Sequence, residues 1–180
     1  EVILHLYEEE GEAAVNRLIG IFAFAIYDST RGQLFLARDR MGVKPLYYAD
    51  INGNFLFASE IKALLATGLI PEEVDWQAIY DYFTFLFVPH PQTAFQAIRQ
   101  LPPAHTLTYN ITQRQFSFNR YWSPWTSALS GKKRSYESLR EETRSLVIES
   151  IRSEMISDVP LGLFFSGGID STLLAAIMTH

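Results

Sequence analysis

The sequence predicts an α+β unit followed by the opening of an α/β unit built on a parallel sheet. Three observations carry this. Between residues 21 and 58, strand-length apolar runs come in pairs around turn residues, the pattern of hairpins. Near the end, a long amphipathic helical pattern leads into LGLFF, two glycines and a second helical run, the pattern of a βα unit. Between them, RYWSPWTSALSGKKRS (120–135) loses periodicity and gathers Ser, Pro, Gly and Lys. The expected division is 1–122, a linker over 123–135, and 136–180.

The elements follow in order. Val2, Ile3, Leu6 and Tyr7 share a helical face, with Glu8 to Glu10 solvated behind them. Gly11 breaks that helix, and a second short helix is expected over 12–18. The runs IFAFAIYD (21–28) and QLFLARD (33–39) form a hairpin around S-T-R-G. The first run is apolar almost throughout, so both faces of its sheet are expected to be covered. PLYYAD and NFLFAS flank I-N-G as a second hairpin, which makes one antiparallel meander the expectation. Ser59 is the expected N-cap of EIKALLAT, with Gly68 at its stop, and Asp75 the N-cap of WQAIYDYFTFLF. Tyr80, Phe83 and Phe87 fall at helical spacing and read as core. IRQLPPAHTLTYN reads as loop and strand, with His105 in the loop. From Ser135, Leu139, Thr143, Leu146, Val147 and Ile151 share one face of a long helix. S-D-V-P then turns the chain into the strand LGLFF (161–165).

Composition narrows the function. At 48% hydrophobic the chain is not disordered. A net charge of −5, with no basic stripe, argues against nucleic-acid binding. Lys132, Lys133 and Arg134 read as a solvated linker. There is no cysteine, which excludes disulfides, thiolate metal sites and a cysteine nucleophile within these residues. No apolar run has membrane-spanning length and no basic leader opens the chain, so a cytoplasmic protein is expected. Glu1 enters directly into a helical pattern, so a preceding segment is expected.

The chemistry concentrates in Ser166-Gly167-Gly168-Ile169-Asp170-Ser171. Between a strand and a helix, successive backbone N–H groups and the helix N-terminus can cradle phosphate. The two glycines allow unusual dihedrals and close approach to an anion. Ser166 and Ser171 add hydroxyls, and Asp170 beside a polyphosphate can hold Mg²⁺. The competing reading is a tight turn in which Asp170 or Ser171 merely caps the helix. No Lys follows the glycines, so this is not a G-x-x-x-x-G-K-[ST] loop, and G-x-G-x-x-G is absent. Arg38, Asp39, Arg40 and Lys44 admit two readings, substrate contacts or, the favoured one, a paired network that pins the loop between the hairpins around a buried Arg–Asp pair. The four histidines have no ligand spacing.

S-G-G-I-D-S resembles the pyrophosphate-binding motif of the ATP pyrophosphatase family. ARDRMGVKPLYYA (37–49) and FASEIKALL (57–65) look like the later part of a class II glutamine amidotransferase domain. With GIFAFAIYDSTRGQLFLARDRMGVKPLYY, IRQLPPAHTLTY, RYW and SDVPLGLFFSGGIDS in that order, nearly the whole chain resembles the asparagine synthetase family. The resemblance implies part of an N-terminal-nucleophile-type αββα sandwich, then the start of an ATP pyrophosphatase domain. It implies glutamine, aspartate and ATP as substrates, Mg²⁺ as a cofactor, and an aspartyl-AMP intermediate. By that resemblance Ser166, Gly167, Gly168 and Ser171 contact the ATP phosphates. Asp170 coordinates Mg²⁺ or orients the loop, and the Phe164 backbone meets adenine. No catalytic residue is expected within these 180 residues, because the family's nucleophilic cysteine and aspartate site lie outside them. The piece alone is expected to be inactive and poorly soluble, and a homodimer of the whole is left open. The alternatives are a sister ligase, either β-lactam synthetase-like or a secondary-metabolite amidotransferase, and a non-catalytic scaffold.

Overall fold

Helix α1 (Val2–Glu10) buries Tyr7 and stops at Gly11, whose φ of +62° suits glycine. The short helix expected next is present over Gly11–Arg17, as a 3₁₀ helix. It buries Ala14 and Val15. The computed structural model describes residues 1–125 and 134–179, and the chain divides into Glu1–Pro124 and Trp125–His180. Most of the linker expected over 123–135 lies outside the described residues.

In the first unit, strands β1 (Ala23–Asp28), β2 (Gln33–Arg38), β6 (His105–Asn110) and β7 (Gln115–Arg120) form one antiparallel sheet in the order β1-β2-β6-β7. Strands β3 (Tyr47–Ile51), β4 (Asn54–Ala58) and β5 (Arg99–Gln100) form a second, in the order β4-β3-β5. The two expected hairpins are present, with Asp28 opposite Gln33 and Ile51 opposite Asn54. The second turns on Asn52 and Gly53, both at positive φ, as a two-residue hairpin loop requires. However, the hairpins sit in different sheets, so the expected single meander is corrected. Residues 39–46 between them leave one sheet and enter the other.

Strand alternation sorts the core into layers. Leu36, Tyr48, Leu107 and Tyr109 pack together with Leu46 and Leu101 as the filling between the sheets. Their chain neighbours point away. Phe35 and Ala37 join Tyr7, Val15 and Ile26 beneath α1, and Ala49 joins Leu64, Ile70 and Ile98 beneath α2 (Ile61–Leu65). The result is helix, sheet, sheet, helix. Phe35, Leu36, Leu101 and Leu107 are completely buried. Each contributes about 1.5–3 kcal/mol over exposure.

Three further expectations are corrected. The strand β1 is an edge strand, with Ala25 and Tyr27 exposed, so its sheet is not covered on both faces there. The N-cap position of α2 falls on Glu60, not Ser59, and no side chain caps it. In α3 (Trp76–Phe85), Asp75 does cap, accepting the Ala78 N–H at 3.1 Å. Yet Tyr80, Phe83 and Phe87 are 69%, 76% and 57% exposed, not core. Helical spacing puts residues on one face, but says nothing about what covers it. Strand β7 had no counterpart in the reading. Its residues are all exposed, although Phe116 and Phe118 still reach the Tyr48 ring.

The second unit contains α4 (Tyr136–Glu154) and α5 (Ile169–Met178). The helix α4 begins where the sequence places it, and Ser135 caps it by accepting the Ser138 N–H. The segment 161–165 is not a strand. A strand exists only through ladder bonds, and among the described residues no neighbour pairs with it. No helix among the described residues is long and apolar enough to cross a membrane.

Candidate functional site

Two places gather polar groups, one in each unit. In the first, Arg38 at the end of β2 is 5% exposed. Its guanidinium donates to Lys44 O at 2.7 Å, Leu101 O at 2.6 Å and Gly42 O at 2.6 Å. The Asp39 carboxylate accepts the N–H groups of Met41 at 3.1 Å and of Val43 and Lys44 at 3.0 Å. Burial raises the Asp39 pKa, but the amides of Lys44, Val43, Met41 and Gly42 together hold it below the usual carboxylate value. Tyr121 donates its hydroxyl to Arg38 O at 2.8 Å. Burial, with the Asp39 charge nearby, pushes that phenol up to about 12. Arg40 lies 5.9 Å from the Trp122 ring centroid.

The expected network therefore pins the loop, but by a different device. Arg38 and Asp39 are not an ion pair among the described residues. Each charge is spent on backbone groups of the loop instead. Every polar atom of the pair that is accounted for points at the chain itself, which is the work of a structural clamp. His105 opens β6 rather than lying in a loop, with Nδ1 2.7 Å from Pro103 O. No group of three or more His, Asp or Glu side chains among the described residues is placed to hold a metal.

In the second unit, Gly167 has φ +77°, and a Cβ there would meet nothing within 4 Å. Glycine is thus required by conformation, and the space beside it is open. Gly168 is the N-cap of α5, in ordinary extended geometry, with room for a Cβ 3.5 Å from Ser166 Oγ. The first intrahelical bond is from Thr172 N–H to Gly168 O, so the amides of Ile169, Asp170 and Ser171 precede the helix ladder. Those N–H groups and the helix dipole favour an anion. Asp170 lies exposed in the first turn, and Phe164 is fully exposed. Neither Asp170 nor Ser171 caps the helix through its side chain.

The structure brings Ser166 and Ser171 together, with their hydroxyl oxygens 3.1 Å apart. Ser171 donates to Gly168 O at 3.2 Å, and Thr172 Oγ1 donates to the same oxygen at 2.8 Å. Thr172 went unremarked in the sequence. The adjoining Ser-Thr pair in a first helical turn was the available signal, since both hydroxyls can bond back to the cap carbonyl. A cleft of about 420 Å³ between α4 and α5 reaches Asp170, with Val147, Ile151, Leu173 and Leu174 among its lining.

Comparison with known proteins gives one family match in each unit. Residues 1–122 match the glutamine amidotransferase domain family, and 142–180 match asparagine synthase. Asparagine synthetase [glutamine-hydrolyzing] 3 of Bacillus subtilis is 39% identical over 178 residues, 98% of this chain and 28% of the relative. Asparagine synthetase [glutamine-hydrolyzing] 2 of the same organism is 38% identical over 183 residues, 97% of this chain and 24% of the relative. Amidase chry2 of Gibberella zeae is 32% identical over 188 residues, covering all of this chain and 26% of the relative. The chain thus spans about a quarter of the length of these curated relatives. With two thirds of its residues in that match and layered antiparallel sheets to go with it, the chain belongs to the glutamine amidotransferase domain family, with an asparagine synthase segment behind it.

Proposed function

We propose that the chain is part of a longer ATP-dependent amide ligase that makes asparagine from aspartate and glutamine-derived ammonia. One observation carries the reading. An amidotransferase match over 1–122 and a glycine loop inside an asparagine synthase match over 142–180 stand in one chain, in that order. In this reading, 1–122 belongs to an N-terminal-nucleophile-type sandwich and 136–180 to an ATP pyrophosphatase domain, joined by 123–135. The cytoplasm and a homodimeric assembly belong to the same reading.

The chemistry follows from the substrates. A carboxylate resists ammonia because it is anionic and lacks a good leaving group. An aspartate side-chain oxygen attacks the α-phosphorus of ATP, and the bond to the bridging oxygen breaks, releasing pyrophosphate. Ammonia then attacks the acyl carbon of aspartyl-AMP, AMP leaves with the bonding pair, and a proton is released. Loop 166–171 holds the pyrophosphate end, where charge grows during the first step. The open side of Gly167 gives access, and the amides at the start of α5 face the charge. The Phe164 backbone lies against adenine.

Asp170 fits a role with Mg²⁺. It is exposed at the phosphate end of the loop, and a single carboxylate with phosphate oxygens is a donor set Mg²⁺ accepts. Bound there with the nucleotide, the ion would supply charge neutralisation.

ATP–pyrophosphate exchange by the complete protein tests this. Exchange that depends on aspartate is the expected result. Two relatives at 32% and 33% identity are named amidases, so proteins of this layout carry names other than asparagine synthetase, and a sister ligase with another acceptor is kept as the second reading. Exchange with a different carboxylate and not with aspartate would select it. Absence of any nucleotide binding would refute both and leave a scaffold.

A further inference from the structure

Ser171 is the only buried residue among the described residues of the second unit, at 8% exposure. Ser166, Gly167 and Gly168 beside it are exposed. A residue meant to touch phosphate directly should lie open with them. Its hydrogen bonds point inward instead. Ser171 Oγ donates to Gly168 O at 3.2 Å and lies 3.1 Å from Ser166 Oγ. A hydroxyl carries one proton. With the Ser171 proton on Gly168 O, the bond between the serines is donated by Ser166. Both protons are then turned inward, and Ser166 offers an incoming anion only lone pairs.

Gly168 O accepts two other bonds, from Thr172 N–H at 3.0 Å and Thr172 Oγ1 at 2.8 Å. A carbonyl oxygen has two lone pairs. The bond from Ser171 is the longest of the three, and the carbonyl stays satisfied without it. We propose that Ser166 and Ser171 form a reversible hydroxyl relay. An incoming phosphate oxygen accepts the Ser166 O–H. Ser171 then turns its O–H from Gly168 O to Ser166 Oγ, and Thr172 keeps Gly168 O paired. Each proton stays on its own oxygen; only hydrogen bonds exchange. Ser171 is thus a positioning residue that aims Ser166, not itself a phosphate contact. The inference rests on the ligase reading above and deepens it.

The test is a double-mutant cycle in the complete protein, reading the Kd for magnesium pyrophosphate by calorimetry and the KM for ATP. Ser166→Ala and Ser171→Ala are each expected to weaken pyrophosphate about tenfold, or about 1.4 kcal/mol. The double variant is expected to match Ser166→Ala alone. Ser171→Thr restores binding, because it returns the hydroxyl. In both single variants the KM for ATP rises with Kd and kcat falls, because the loop holds the oxygens on which charge grows in the first step. Multiplicative losses in the double variant, or wild-type affinity in Ser171→Ala, overturn the relay. If Ser171→Ala does not fold, Ser171→Cys keeps the volume with a weak donor. It is expected to weaken binding beside Ser166 and to have no effect beside Ser166→Ala, and the opposite pattern overturns the relay. Failure of the unmodified protein to bind magnesium pyrophosphate overturns the ligase reading itself.

Discussion

Replacing Arg38 with Met keeps most of the buried stem and removes the guanidinium. Three carbonyls lose their donor: those of Leu101, Gly42 and Lys44. They are not equivalent. Leu101 is completely buried, so its carbonyl is left without water, at about 1–3 kcal/mol. Lys44 is exposed and rehydrates, and Gly42 is half-buried and rehydrates in part, so each loses at least the net worth of a charged hydrogen bond, about 1.5 kcal/mol. Removing a buried cation returns part of this as recovered desolvation. A net loss of about 3–4 kcal/mol is expected, a large share of the roughly 5–15 kcal/mol that holds a domain folded. Hydrogen exchange of the β2 and β6 amides, resolved by mass spectrometry, reads this within the first unit. Protection should fall by roughly two to three orders of magnitude. Arg38→Lys should fall nearly as far, because an ammonium cannot span three carbonyls in one plane. Protection unchanged in Arg38→Met would refute the clamp.

The remaining predictions concern the same loop. Gly42 has φ +67°, and a Cβ there would sit 2.7 Å from Pro103 Cγ and 3.1 Å from Arg38 Cζ. Gly42→Ala should therefore destabilise by about 2–4 kcal/mol through backbone strain and overpacking, and an unchanged melting temperature would count against the clash. Asp39 titrates lower in the folded chain than its ordinary 3.8, so in acid the unfolded chain binds the proton first. Its contribution is present above about 3.8 and is lost as pH falls through the lower folded value. Asp39→Asn should flatten that acid limb of the stability curve, and a limb of unchanged steepness would remove Asp39 from it.

Much of the fold was readable because it depends on nearest neighbours. Asn52-Gly53 between alternating apolar runs specifies a hairpin, since both residues take positive φ. Asp75 and Ser135 announce helix starts by chemistry that acts within three residues. The glycine loop was legible for the same reason, as Gly167 alone suits its conformation. Strand β7 escaped notice because its exposed residues carry no buried face to set a period.

By itself, then, the sequence determined most of the local elements, the order of the two modules, and the glycine loop between residue 166 and the start of α5. These rest on dihedral preference, capping and periodicity, all of which act over a few residues. Only the tertiary structure decided that neighbouring hairpins part into two sheets. It alone showed that Arg38 reaches a carbonyl 63 residues away instead of pairing with Asp39. It alone showed that the aromatic face of α3 lies in solvent and that Ser171 is buried behind Ser166. Each of those outcomes depends on what packs against a residue from distant parts of the chain, and no local pattern encodes it.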